Sequence, residues 1–240
     1  MALQSRPHRI LLTRPADQGA RFGQALLQRF GSGAEIVFSP LSAPRHLVPV
    51  LPSGTFDAVI FTSETAVAAS VGLRPGLPGL AFTVGDQTAL AAQAAGFKAV
   101  SAAGDAAALI ALLVGSRPGR LLHLHGQETR GDVVPHLVAA GIDALGCVVY
   151  AQEPVEPSRA ALLWLADAHP VAVPLFSPRM ALRFSSVAGN ARAPLWLASL
   201  SPAVDAAVTL VPAQRIVARR PDAMAMLDAL ALLLIPFADP

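Results

Sequence analysis

Short apolar runs punctuate the chain, each followed by a small polar turn and then an Ala-rich stretch. The runs span 9–13, 56–61, 80–84, 97–100, 120–124, 142–150, 171–176, 195–198 and 215–218. They are continuously apolar rather than alternating, as expected of strands buried on both faces of a parallel sheet. The stretches 65–71, 88–95, 106–114 and 222–234 are read as helices, with Gly72, Gly96, Gly115 and Pro236 at their ends. Strands alternating with helices predict an α/β fold built from βαβ units.

The pattern repeats. Phe61-Thr62-Ser63 resembles Phe176-Ser177-Pro178, 115 positions on, and 80–85 resembles 196–201, 116 positions on. Residues 99–105 resemble 216–222 at a spacing of 117, and Leu11-Leu12-Thr13-Arg14 resembles His123-Leu124-His125-Gly126 at 112. One repeat draws all its elements from the middle of the chain. The other draws its first element from the start and the rest from the end. The expectation is two similar parallel-sheet α/β domains joined by a two-stranded linker, one domain discontinuous. The discontinuous domain takes 1–34 with 155–240, the inserted domain 48–144, and the linker strands 35–47 and 145–154.

Composition narrows the class. The 240 residues are 53% hydrophobic and 14% charged, against about 25% charged in ordinary domains, which excludes a disordered chain. The net charge is only +2 and the arginines are scattered, so no nucleic-acid partner is expected. The mean hydropathy of +0.52 raises the question of a membrane. However, the longest apolar run, 229–238, is broken by Pro236 and falls short of the roughly 20 residues a spanning helix needs. No signal-like segment opens the chain. A cytoplasmic monomer, without a membrane partner, is the expectation. The single cysteine, Cys147, excludes a disulfide framework or a zinc ribbon, and its apolar strand makes it a core residue.

Ligands of parallel α/β sheets bind beyond the carboxyl ends of the strands, where helix N-termini present free N–H groups. The turns there contain Arg14, Thr62, Ser63, Gly85, Gly126, Arg130, Ser177, Ser199 and Ser201. For each hydroxyl, ordinary helix capping is the alternative; binding gains support because both halves repeat the feature. No glycine-rich nucleotide fingerprint is present, and the sole lysine, Lys98, lies in no phosphate loop. His123 and His125 share one strand face but lack a third ligand at a metal-binding spacing, so no metal is expected. Tyr150 is the only tyrosine and ends the return crossing, next to the expected interdomain cleft. Its phenol could donate a proton or a hydrogen bond to a substrate; the alternative is a tyrosine packed at a linker.

Several of these motifs together resemble one family. They are Ile10-Leu11-Leu12-Thr13-Arg14-Pro15, Phe61-Thr62-Ser63 with Ala66-Val67, Val84-Gly85 with Thr88-Ala89, and 122–126 with Arg130, Leu137, Gly141 and Val149-Tyr150, followed by Phe176-Ser177-Pro178. In this order and at this length the chain resembles the uroporphyrinogen-III synthases. The resemblance implies a cofactor-free lyase whose substrate is hydroxymethylbilane, a linear tetrapyrrole polycarboxylate. The product would be uroporphyrinogen III, with the last pyrrole ring inverted. It also implies that Tyr150 matches the family's proposed proton donor, Thr62 and Ser63 its first binding turn, and Ser177 its second, with Arg14 and Arg130 contacting carboxylates. Where the family often has Gly-Pro-Thr-Thr-Ala, this chain has Ser201-Pro202-Ala203-Val204-Asp205. The threonine roles therefore do not transfer, and Ser199 and Ser201 are only substitutes. Two other readings stand beside this one: a hinge-closing binding protein for a small anionic ligand, and an inactive paralogue of the synthase.

Overall fold

Each apolar run becomes a strand, and each Ala-rich stretch a helix, in the computed structural model, which describes residues 7–129 and 131–234. The chain divides into two compact units, Met1–Ala43 with Pro154–Pro240, and Pro44–Glu153. It opens with β1 (His8–Leu12), α1 (Ala16–Phe30), β2 (Ala34–Phe38) and β3 (Ser42–His46). There follow β4 (Ala58–Phe61), α2 (Glu64–Ser70), β5 (Leu80–Thr83), α3 (Asp86–Ala94), β6 (Lys98–Ser101) and α4 (Ala106–Ser116). Next come β7 (Leu121–Gly126), α5 (Val133–Ala139), β8 (Ala144–Pro154) and α6 (Arg159–Ala166). The chain closes with β9 (Val171–Leu175), α7 (Pro178–Ala188), β10 (Leu195–Ser199), α8 (Pro202–Ala206), β11 (Gln214–Val217) and α9 (Ala223–Leu234).

The first sheet has the order β11-β10-β9-β1-β2, with parallel pairing throughout. The second has the order β3-β8-β7-β4-β5-β6, parallel from β8 to β6. The strands matched by the internal repeat occupy equivalent places. β6-β5-β4-β7 in one sheet corresponds to β11-β10-β9-β1 in the other. The two sheets thus share a spatial order that their chain orders reach by circular permutation.

Two details differ from the sequence reading. Residues 35–38, expected to begin the outgoing linker, instead belong to β2, an edge strand hydrogen-bonded along all of β1. Ala34 and Ile36 pack on the sheet face covered by α1 and α9, and Val37 packs on the opposite face. The return segment, residues 145–154, is extended, forming β8 with Ala144, and it also pairs with β7 as far as Tyr150. β3 lies along the outer side of β8. The N–H of Leu47 donates to the Val149 carbonyl and that of Val155 to the Leu41 carbonyl, an antiparallel register. Gly115 does not end α4 either. The helix runs to Ser116 and stops on Arg117, whose φ of 41° breaks it. Pro236 lies outside the described residues.

Burial explains the continuous apolar runs. Alternate residues of a strand point to opposite faces, and helices cover both. Leu11 packs with Phe184 and Trp164 on one face of the first sheet. Ile10 and Leu12 pack with Phe22, Leu26 and Met226 on the other. In the second sheet, Val59 and Phe61 face Ala66 and Phe97, and Ala58 and Ile60 face Leu109 and Leu113. A polar residue on either face would have to be buried without water, which costs free energy unless it finds a partner. His123 is such a residue.

Candidate active site

In the second sheet, β4 has its successor β5 on one side and β7 on the other. Connections leaving the carboxyl ends of β4 and β7 therefore diverge, which opens a crevice where ligands of such sheets bind. Thr62 and Ser63 follow β4, and His125 and Gly126 end β7. Tyr150 on β8 pairs with Gly126, across an irregularity between His125 and Gly126 that shifts the register there. Residues far apart in sequence are thus neighbours at one strand edge.

Ser63 caps α2, its hydroxyl accepting the Ala66 N–H at 3.2 Å. The same hydroxyl lies 3.3 Å from the Tyr150 phenol. Because one Ser63 lone pair already accepts from the backbone, its remaining proton and lone pair are available to the phenol. Next to it, the Thr62 hydroxyl lies 3.4 Å from Nε2 of His123. His123 is 3% exposed, and its pKa is pushed down to about 3, first by burial and then by His125. It is an uncharged imidazole at neutral pH. His125 places Nδ1 2.7 Å from the Gly126 carbonyl oxygen. Carbonyl oxygens only accept, so Nδ1 carries the hydrogen. The two rings lie with centroids 4.7 Å apart.

Two glycines make this arrangement possible. A Cβ at Gly126 would lie 2.6 Å from Cζ of Tyr150 and 2.9 Å from its oxygen. A Cβ at Gly146 would lie 2.8 Å from Nε2 of His125. The β7 glycine admits the tyrosine of β8, and the β8 glycine admits the histidine of β7.

The remaining expected residues of the second unit divide. Gly85 is the N-cap of α3, and its carbonyl accepts the Thr83 hydroxyl at 3.3 Å. Arg130 lies outside the described residues. In the first unit, Arg14 follows β1, stacks its guanidinium 3.9 Å over the Phe176 ring and donates to Gln18 at 3.0 Å. Its Nε is buried without a hydrogen-bond partner. Burial, and then the charge of Arg21, lower its pKa from the ordinary value. Arg14 and Arg21 line a cavity of about 370 Å³ with Gln18 and Phe22. Ser177 caps α7 through the Met180 N–H at 3.3 Å, and Ser201 caps α8 through the Val204 N–H at 3.4 Å. Ser199 is fully buried, and its hydroxyl donates to Asp205 at 3.2 Å, so it supports the turn after β10. Ser177 and Ser201 thus each cap a helix. Ser63 both caps and reaches Tyr150.

The sequence reading treated His123 and His125 only as metal ligands. Their alternation on one strand was the available signal for a paired role. What it did not contain was Thr62, brought next to β7 by the pairing of Phe61 with Leu124. No cluster of three or more metal-ligating side chains occurs among the described residues.

Residues 24–228 match the model of the family described as uroporphyrinogen-III synthase HemD. The chain belongs to the uroporphyrinogen-III synthase family. Its members are lyases of tetrapyrrole synthesis. Among solved structures, the uroporphyrinogen-III synthetase of Helicobacter pylori 26695 aligns with a TM-score of 0.63 at 18% identity, over 95% of this chain and 100% of that one. A mutant uroporphyrinogen III synthase of the extremely thermophilic bacterium Thermus thermophilus aligns with a TM-score of 0.47 at 16% identity, over 95% and 98%. A search of curated proteins finds no match. The Helicobacter alignment is a likeness of fold; membership in the synthase family rests on the family model.

Proposed function

We propose that this chain cyclises hydroxymethylbilane to uroporphyrinogen III with loss of water, and that the strand edge around Tyr150 carries the acid step. The observation that supports this most directly is the Tyr150 phenol, hydrogen-bonded to Ser63 beside Thr62 at the point where the sheet order reverses. In this reading, Tyr150 gives its proton to the terminal hydroxyl of the bilane. The C–O bond breaks, water leaves, and an azafulvene cation remains. The substituted carbon of the last pyrrole attacks that cation to form a spiro intermediate, which fragments and recloses with the ring inverted. Deprotonation of the reclosed ring restores the aromatic pyrrole and returns a proton to Tyr150. Substrate and product differ by one water, so the balance needs no cofactor.

The uncatalysed closure gives the uninverted isomer. The protein must therefore hold a flexible polyanion in one conformation, and positioning supplies most of the catalysis. Thr62, Ser63, Gly85 and Gly126 would bind on the second unit. Arg14, Ser177 and Ser201 would bind on the first, with Arg14 suited to a carboxylate by its charge and planar fork. Arg130 and Ser199 complete the expected set, Ser199 through backbone rather than its buried hydroxyl. No helix among the described residues is long and apolar enough to cross a membrane, and the proposed setting is a cytoplasmic monomer.

The test is to supply the purified protein with hydroxymethylbilane generated in situ and to separate the products by chromatography. Type III isomer is the expected product. Type I isomer alone, from folded protein, refutes the proposal and leaves an inactive paralogue or a binding protein.

A further inference from the structure

Two histidines, His123 buried and His125 half-buried, stand directly behind the hydroxyls of the site. His123 replaces an apolar side chain on a strand face otherwise lined by Leu121, Ile60 and Leu109. A polar ring in that place costs free energy unless its hydrogen bonds are used. The described partner of its Nε2 is the hydroxyl of Thr62. His125 extends the same face, its ring in the space opened by Gly146 and its Nδ1 on the Gly126 carbonyl. That carbonyl belongs to the glycine against which the Tyr150 ring rests. Each histidine therefore touches one support of one hydroxyl: Thr62 directly, and Tyr150 through Gly126.

We propose that His123 and His125 are positioning residues for the cyclisation, His123 setting the direction of the Thr62 hydroxyl and His125 setting the seat of Tyr150. The inference rests on the function proposed above and adds to it a layer behind the reacting groups. It also selects a tautomer. A hydroxyl that is to donate to a substrate carboxylate must accept from behind. His123 then carries its hydrogen on Nε2 and donates to Thr62, so the Thr62 O–H points outward. The opposite tautomer would take the Thr62 proton and leave only lone pairs to face an anion. Burial suits this role, because a neutral ring keeps a fixed donor in place without adding a mobile charge beside the azafulvene.

The test combines a spectrum with two mutant cycles. Nitrogen NMR of the unliganded wild-type protein at neutral pH should find the His123 ring as the Nε2–H tautomer; the Nδ1–H tautomer overturns the proposal. His123→Leu should lower kcat about 3–10-fold, the worth of one neutral hydrogen bond, and raise the share of type I product, with KM changed less than about twofold. His123→Gln, whose amide reaches the Nε2 position, should recover most of that loss. In a Thr62→Ala background, His123→Leu should lower kcat by less than about twofold further, because its route to the substrate is already gone. The same non-additivity is expected for His125→Gln in a Tyr150→Phe background. Multiplicative losses in both cycles, or wild-type kcat and isomer ratio in folded His123→Leu, overturn the proposal. If wild-type protein makes only the type I isomer, the functional reading fails and this inference fails with it. An active wild type with multiplicative cycles removes this inference alone.

Discussion

Replacing Gly126 by alanine places a methyl group where the Tyr150 ring now rests. The new carbon would lie 2.6 Å from Cζ and 2.8 Å from Cε2 of the ring. Carbon atoms in contact sit about 3.5–4.0 Å apart, so the ring must retreat by roughly 1 Å. The obstructed group is the far end of a side chain, so the strand itself keeps its register. Overpacking of this kind costs about 1–3 kcal/mol, a loss a folded domain can survive. The functional cost is larger. A shift of about 1 Å carries the phenol off Ser63, now 3.3 Å away, and misplacement on that scale can cost on the order of 100-fold in rate. The expected result for Gly126→Ala is therefore a folded protein with kcat down by about 10–100-fold and a larger share of type I product. Tyr150 is the only tyrosine in the chain, so the ring resonances of isotope-labelled tyrosine report on this ring alone, and they should shift in Gly126→Ala. A variant with wild-type kcat, isomer ratio and tyrosine resonances would refute the placement of Tyr150 against Gly126 and its role in the reaction.

Tyr150→Phe should lose rate without losing the fold, read as a drop in kcat with an unchanged thermal midpoint; unchanged turnover removes the phenol from the mechanism. Ser63→Ala and Ser158→Ala each delete a helix cap and should each cost about 1 kcal/mol in denaturant unfolding. Only Ser63→Ala should also lower kcat, and equal activity in the two would reduce Ser63 to a cap. In the first unit, the Arg9 guanidinium, followed by the Ala168 N–H and His169, holds the Asp167 carboxyl well below the usual carboxylate range. A depressed carboxylate pKa contributes stability above the unfolded value of about 3.9 and loses it as pH falls from there toward the folded value. Asp167→Asn should therefore melt below wild type at neutral pH, and the gap should close as the solution is acidified. A gap that persists unchanged into acid would show that the pair does not act through the charge of Asp167.

Much of this architecture is local and was readable from the chain. The nine apolar runs became strands because a strand covered on both faces has no polar side. Ser63, Ser177 and Ser201 became caps because a hydroxyl at a helix start satisfies an N–H that has no partner inside the helix. Even the permuted repeat was visible, since the matched turns recur at near-constant spacing. Lateral order was not visible. A strand carries the same apolar pattern wherever it sits in a parallel sheet, so nothing local distinguishes 35–38 as an edge strand beside β1 from the same residues as a crossing. The site depended on that order. Thr62 and His123 are 61 positions apart, and only the pairing of β4 with β7 sets a hydroxyl against an imidazole. The closeness of Gly126 to Tyr150 likewise needed a register shift between β7 and β8. Which residue types stand at the strand ends follows from the chain alone, because strand and turn patterns are local. Which of them meet was settled by the folded arrangement, because hydrogen-bonded pairing of distant strands sets the distances on which proton donation and positioning depend.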